Sequence, residues 1–283
     1  MNDWTIELDE FISNAIKEDV GDGDHTSLAC VPAEGSNKAF LLAKENGILA
    51  GVEVALQVFH HVDPELNIVV HIVDGSDIKP GDIVFEVTGS ARSILKSERL
   101  VLNCMQRMSG IATNTRKYVD LVKDYPCKIL DTRKTTPGFR VIEKWAVRIG
   151  GGVNHRFGLY DMIMIKDNHI DYAGGIENAI SKTRNYLREV NKDLKIEVEA
   201  RNLTEVKEIL AMGTVDRIML DNFSFDDLKT AIQLIDGRCE TEASGGITDE
   251  SVVKYAACGV DFISVGALTH QINSLDLSLK ASL

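Results

Sequence analysis

Between Asp131 and Lys166 the chain carries Arg133, Lys134, Arg140, Lys144, Arg148, Arg156 and Lys166 against only Asp131, Glu143 and Asp161. That is a surplus of four positive charges inside a protein whose formal net charge is −12. Guanidinium groups bind carboxylate and phosphate through paired hydrogen bonds, and an ammonium adds a point charge. The stretch therefore points to a ligand with several negative groups. His155 adjoins Arg156 directly after Gly150-Gly151-Gly152, where the backbone must bend sharply or lie close to something. Further on, Glu199 and Asp221 form a carboxylate pair suited to Mg²⁺, which takes one or two carboxylates and completes its shell with substrate phosphates and water. Ser244-Gly245-Gly246-Ile247, read as preceding a helix, and Gly266 offer backbone N–H groups that a phosphate can approach.

Taken singly, each piece has an ordinary reading. Arg133-Lys134 reads as a solvated pair, Glu199 or Asp221 as a helix-capping carboxylate, and the glycine runs as tight turns. Arg140 and Lys144, at i, i+4 spacing, read as a solvated helix face, with Arg148 open. Of the histidines, His155 is a better ligand contact than His169. His25, His60, His61, His71 and His270 show no metal-ligand spacing.

The elements that must position these residues explain why they count as a set. Short apolar runs recur at Cys127–Leu130, Met162–Ile165, Ile196–Val198, Arg217–Leu220, Glu240–Ala243 and Phe262–Val265. The last four are spaced by about 22 residues, enough for one strand, one helix and two short loops. Repeated βα units imply a parallel sheet with helices outside. The absence of a glycine-rich first turn favours a closed barrel over a doubly wound open sheet. In such a barrel the site lies at the carboxyl ends of the strands. Each run here ends in residues that bind charge or phosphate. A purely structural rim has no reason to gather such charges, because each must be desolvated and paired.

Ahead of the barrel pattern, a helix is expected over 7–18, strands at Ala39–Leu49, Asn67–Asp74 and Ile83–Val87, and one or two helices over Ser97–Val122 carrying Arg99. Within the last, Leu102, Met105 and Met108 fall at core spacing. This part reads as an α+β unit.

Composition bounds the rest. With 283 residues, 44% hydrophobic and 26% charged, the chain is an ordinary globular protein and neither collagenous nor broadly disordered. Its acidity argues against nucleic acid as a partner. No stretch approaches the roughly 18 apolar residues of a membrane span, so no membrane partner is expected. The acidic start lacks the pattern of a signal peptide, and the five cysteines show no CxxC, so a reducing cytoplasm is expected, without disulfides or structural zinc.

The long motifs resemble the quinolinate phosphoribosyltransferase (nicotinate-nucleotide pyrophosphorylase) family. They run Glu18 to Asp24, Glu98 to Asn103, Ser109 to Thr113, Asp131 to Arg140, Glu143 to Arg148, Gly150 to Arg156, Ile165 to His169, Glu197 to Glu199, Met219 to Asn222, Glu242 to Ile247 and Ser264 to Gly266. They cover nearly the whole chain in order. One departure is the segment Met212 to Arg217, which looks one residue longer than the commonest family form.

The resemblance implies an incomplete, seven-stranded α/β barrel over 109–269. An N-terminal α/β sandwich domain would cover 1–108, with the tail 270–283 packing back on it. It implies a homodimer or a hexamer (a trimer of dimers), in which Arg99 is contributed across the dimer. Arg133, His155, Arg156 and Lys166 would surround the quinolinate carboxylates. Lys134, Glu199 and Asp221 would lie near phosphoribosyl pyrophosphate and its Mg²⁺, with Ser244, Gly245, Gly246 and Gly266 at the ribose 5-phosphate. Lys134, Lys166, Glu199 and Asp221 are the expected catalytic residues.

The implied reaction joins quinolinate to phosphoribosyl pyrophosphate with loss of CO₂, giving nicotinate mononucleotide in NAD biosynthesis. Competing readings are a relative associated with molybdenum transport, a nicotinate-specific phosphoribosyltransferase, a barrel aldolase using Lys134 or Lys166 as a Schiff base, and a non-catalytic anion-binding protein.

Overall fold

The structure is a computed structural model that describes residues 4–213 and 215–282. The chain forms two compact units. The first comprises Met1–Arg116, Lys134–Gly151 and Leu268–Leu283, and the second Lys117–Arg133 and Gly152–Ala267.

Up to residue 121 the elements are α1 (Trp4–Val20), α2 (His25–Cys30), β1 (Ser36–Ala43), β2 (Gly47–Ile48), α3 (Val52–Val62), β3 (Asn67–Val70), β4 (Asp77–Ile78), β5 (Ile83–Ser90) and α4 (Ala91–Leu121). Then come β6 (Lys128–Leu130), α5 (Arg140–Ile149), β7 (Ile163–Ile165), α6 (Asp167–Ala173), α7 (Ile176–Glu189), β8 (Ile196–Ala200), α8 (Leu203–Ala211) and β9 (Arg217–Asp221). The chain continues with α9 (Phe225–Ile235), β10 (Glu240–Ser244), α10 (Val252–Ala256), β11 (Phe262–Ser264), α11 (Ala267–His270) and β12 (Leu277–Ala281). The longer segment noted above joins α8 to β9; its Thr214 lies outside the described residues.

In the first unit a four-stranded antiparallel sheet runs in the order β12-β1-β5-β3, beside a two-stranded pair of β2 and β4. Helix α3 buries Val54, Ala55, Val58 and Phe59, and Phe59 meets Phe85 of β5 edge-on at 5.8 Å. The apolar periodicity read over Ser97–Val122 belongs to a single 31-residue helix, α4. Its stripe of Val101, Leu102, Met105, Met108 and Ala112 is buried, as an i, i+3, i+4 pattern requires. The Ser109 hydroxyl on that helix accepts from the Ala50 N–H at 2.9 Å and donates to the Ala50 carbonyl at 3.2 Å. The turn between β2 and α3, which would otherwise leave buried backbone groups unpaired, is thereby satisfied.

In the second unit six parallel strands run β6-β11-β10-β9-β8-β7. The six apolar runs read from the sequence are these six strands. The sheet is not closed, in keeping with the incomplete barrel that the family resemblance implies, while the closed barrel favoured by the βα pattern alone is corrected. A seventh strand is reduced to one parallel bridge between Leu130 and Val153. The reason lies in residues 131–162, which join β6 to β7. That connection carries helix α5, which belongs to the first unit, and just before Val153 it runs through Gly150 to Gly152, which weaken strand pairing.

Candidate active site

The carboxyl ends of the six strands and of the Val153 bridge present, in chain order, Arg133, His155 and Arg156, Lys166, Glu199, Asp221, Ser244 to Gly246, and Gly266. All belong to the second unit, so the rim expected from the motifs is assembled by one sheet.

On the cationic side, Arg133 is exposed and Arg156 half-buried. Burial and the neighbouring Arg133 guanidinium press the Arg156 pKa below its usual range. Like charges held together this way favour an anion between them. Arg156 is aimed by a hydrogen bond from its Nη1 to the Met162 carbonyl at 3.0 Å. The loop beyond it is tied by Asp161, whose carboxylate accepts from the N–H groups of Phe157 at 2.7 Å and Gly158 at 2.8 Å. The segment before Arg156 is anchored by Asp131, a fully buried carboxylate. Asp131 accepts from the His155 N–H at 2.8 Å and from Asn154 Nδ2 at 2.6 Å.

Lys166 Nζ stands 3.3 Å from Glu199 Oε2. Its backbone N–H donates to His169 Nδ1 at 2.9 Å, so His169 caps its own loop. Burial raises the Glu199 pKa; Lys166 lowers it, and the Asp221 charge raises it again. Two carboxylates that repel each other at a half-buried site would be relieved by a divalent cation, and hard oxygen donors are what Mg²⁺ takes. The donor set of Glu199 and Asp221 therefore fits the ion.

After β10 the glycine turn is shaped for close approach. Gly245 adopts φ +102°, and a side chain there would run into the Asn222 amide. Gly246 sits at φ +59°, with nothing among the described residues within 4 Å of where a Cβ would stand. Both conformations suit glycine, and the second leaves open space. The following helix starts only at Val252 and has five residues. The turn precedes a helix, as expected, but not directly, so a phosphate held here would face the glycine amides more than the helix N-terminus.

Beneath the rim lies a charged layer that the motifs did not single out. Glu197 and Glu199 of β8 share a face, as do Glu240 and Glu242 of β10, because strand residues two apart point the same way. Between these strands, β9 contributes the buried Arg217. Arg217 Nη1 lies 3.1 Å from Glu242 and 3.9 Å from Glu197, and Nη2 lies 3.0 Å from Glu240. Its guanidinium stacks on Phe262 at 4.0 Å. His155 turns into this layer, with Nε2 3.0 Å from Glu197 and 3.3 Å from Glu242. Burial and Glu242 push the Glu197 carboxyl up to about 7. The period-two pattern of Glu197 and Glu199 against Glu240 and Glu242, with Arg217 between, was the available signal. The surrounding apolar residues made these strands read simply as apolar runs.

Two expected site residues belong to the first unit. Lys134 is exposed, and its carbonyl accepts from the Thr269 hydroxyl at 2.8 Å. Arg99 is exposed on α4. The solvated-face reading of Lys144 is corrected. Helix α5 buries Val141, Ile142, Glu143, Lys144, Ala146 and Val147, so charge spacing along it does not mark a solvent face. Arg140 is half-buried, with Nε donating to the Thr135 hydroxyl at 3.0 Å, and Arg148 is exposed.

Comparison with known proteins bears on the whole arrangement. The profile of the quinolinate phosphoribosyl transferase C-terminal domain matches residues 111–280, and that of the N-terminal domain matches 24–109. The chain is 49% identical to the chloroplastic nicotinate-nucleotide pyrophosphorylase [carboxylating] of Arabidopsis thaliana, over 98% of this chain and 83% of that one. It is 43% identical to the probable nicotinate-nucleotide pyrophosphorylase [carboxylating] of Bacillus subtilis, over 98% and 94%. The crystal structure of NadC from Streptococcus pyogenes superposes with a TM-score of 0.93 at 42% identity, covering 100% of this chain and 99% of that one. Matches of this extent and identity place the chain in the quinolinate phosphoribosyl transferase family.

Proposed function

We propose that this protein transfers the phosphoribosyl group of phosphoribosyl pyrophosphate to the ring nitrogen of quinolinate, releasing pyrophosphate and CO₂ and forming nicotinate mononucleotide. The observation that carries this reading is one rim holding two kinds of charge. Arg133, Arg156 and Lys166 lie on one part of it, and Glu199 and Asp221 on another. A dicarboxylate and a polyphosphate are two polyanions that repel each other, and such a rim offsets that repulsion while holding them in line.

Arg133 and Arg156 grip the quinolinate carboxylates, and Lys166 stands between the cationic and acidic parts. The pyridine nitrogen has no proton to lose, so no general base is needed. Its lone pair forms the bond to the anomeric carbon as the bond to pyrophosphate breaks. Glu199 and Asp221 face the electron-poor ribosyl carbon that develops. Gly245 and Gly246 offer amides to the 5-phosphate. The positive charge on the quaternised ring nitrogen then stabilises the electron pair left on the adjacent ring carbon when the 2-carboxylate departs as CO₂, and that carbon takes up a proton. Glu199 and Asp221 would hold Mg²⁺, which when bound supplies charge neutralisation for the pyrophosphate. Lys134 completes the phosphate contacts.

The protein works as a homodimer or a hexamer (a trimer of dimers) in which Arg99 reaches the partner's site, and it acts in the cytoplasm. Among the described residues no helix is long and apolar enough to cross a membrane. A Schiff-base role for Lys166 is disfavoured, because that reaction wants a desolvated amine and this ammonium is 46% exposed and paired with Glu199.

The test is to follow CO₂ and pyrophosphate from quinolinate plus phosphoribosyl pyrophosphate, with and without Mg²⁺. Equimolar products that require Mg²⁺ are expected. Turnover of nicotinate with none of quinolinate overturns the substrate. CO₂ release without phosphoribosyl pyrophosphate overturns the order of steps.

A further inference from the structure

Among the described residues three that are not glycine have a left-handed backbone: Asn191, Asn222 and Asp236. Asn191 lies just past the end of α7, and Asp236 ends α9. Helices commonly stop in this conformation, so those two need no further account. Asn222 differs. It lies one residue past β9, at the carboxyl rim, with φ +56°. It caps no helix, since the cap of α9 is Ser224.

The left-handed backbone decides where the Asn222 side chain goes. In an extended strand, neighbouring side chains point to opposite faces, and Asn222 would turn away from Asp221. Instead its Nδ2 donates to Asp221 Oδ2 at 2.6 Å. An ionised carboxylate only accepts, so the amide presents its nitrogen there, and its Oδ1 lies over Gly245. The backbone is anchored toward the same turn. The Asn222 N–H donates to the Ser244 carbonyl at 2.9 Å, just beyond Asp221 and Ser244, the last paired positions of β9 and β10.

The contact with Gly245 is close enough to dictate the residue there. A Cβ at 245 would stand 2.9 Å from the Asn222 backbone nitrogen and would collide with its side-chain amide. The Asn222 amide thus joins two parts of the rim, the Asp221 carboxylate and the glycine turn. A left-handed turn alone is served at least as well by glycine, which takes this conformation at no steric cost. Asparagine adds the amide that spans the two neighbours, and strain of this kind is found where surrounding groups make use of it.

We propose that Asn222 is a positioning residue for phosphoribosyl pyrophosphate: its amide, turned by the left-handed backbone, fixes the Asp221 carboxylate against the Gly245 turn. The inference rests on the function proposed above, in which Asp221 faces the ribosyl carbon and the Gly245 and Gly246 amides meet the 5-phosphate. Those groups take opposite ends of one ribose 5-phosphate, so their spacing must match the substrate. By engaging Oδ2, the amide also sets the direction in which Asp221 Oδ1 points.

Asn222→Gly tests this, because glycine keeps the backbone conformation and removes only the amide. In crystals of the ligand-free variant, the Asp221 carboxylate should leave its wild-type rotamer or occupy more than one. KM for phosphoribosyl pyrophosphate, at saturating quinolinate and Mg²⁺, should rise about tenfold, the scale of one charged hydrogen bond. KM for quinolinate should stay within about twofold. If Asn222 served only to make the turn, glycine would leave both readings at wild-type values, and that result overturns the proposal. A raised KM with Asp221 unmoved would make Asn222 a direct ligand of the substrate, and overturns the positioning role as well.

Gly245→Ala approaches the same contact from the other side, since its methyl group displaces the amide. Combined with Asn222→Gly, its loss of kcat/KM should be smaller than the product of the two single losses, whereas fully multiplicative losses overturn the link. A crystal structure of the wild-type protein with the Asn222 amide turned away from Asp221 overturns it without any variant. Wild-type protein that fails to turn over quinolinate and phosphoribosyl pyrophosphate overturns the function, and the Asp221 rotamer in Asn222→Gly still decides whether Asn222 positions that carboxylate.

Discussion

Burial and the neighbouring Arg133 depress the basicity of Arg156, a cost that a bound anion would relieve. Replacing Arg133 or Lys166 by alanine should lower kcat/KM for quinolinate by more than about 10²-fold, the scale of losing a principal electrostatic donor. Steady-state assays at saturating Mg²⁺ check this, and near-normal turnover in both variants would refute the site. Most of these residues were legible in the sequence because each is a polar residue that follows directly on an apolar run. His155 was legible in position and not in direction, since nothing in the order of residues tells that its ring turns down toward Glu197 and Glu242. Lys144 was misread for a related reason. Spacing reports which face of a helix a residue lies on, and only packing reports whether that face meets water.

At the scale of elements, the loop between β6 and α5 owes its shape to Glu143. This fully buried carboxylate accepts from the Thr136 N–H at 3.1 Å and the Thr136 hydroxyl at 2.9 Å. Arg107 Nε of α4 donates to it at 2.8 Å, and Arg107 Nη2 also reaches the Thr269 carbonyl at 3.0 Å. Arg107→Ala strands that carboxylate in the interior and should destabilise the protein by about 3–5 kcal/mol. The midpoint of urea unfolding measures this, and a midpoint unchanged from wild type would show the pair to be dispensable. The six parallel strands were legible as apolar runs at regular spacing. Helix α3 was not, because Val52 to Val62 is rich in β-branched and aromatic residues whose helix propensity is weak. Its place is set by burial against β5 instead. The opening of the barrel was legible through the family motifs and hidden from the βα spacing, because one bridge at Val153 leaves almost no pattern behind.

At the scale of the molecule, the proposed exchange of Arg99 across a dimer makes a sharp demand. Arg99→Ala and Lys166→Ala proteins, each inactive alone, should recover part of the wild-type activity when mixed and allowed to exchange subunits. Proven heterodimers without recovery would count against the exchange. The net charge of −12 argued against bulk nucleic-acid binding on general grounds and said nothing of small polyanions, since whole-chain charge averages over a cationic segment in an acidic chain. The antiparallel pairing of β12 with β1, from Ala39 opposite Ala281 to Ala43 opposite Leu277, bears on how the protein is made. Most of the chain lies between these two partners, so β1 must leave the ribosome long before the strand that covers its edge exists. Until then an unpaired row of N–H and C=O groups is open to the wrong neighbour. Chains that stop short of Leu277 should therefore collect in the insoluble fraction during expression, and recovery of such chains in folded form would show that this edge protects itself. Translation speed through the C-terminal codons, and the chaperones that meet nascent chains, thereby become part of what sets the yield of this enzyme.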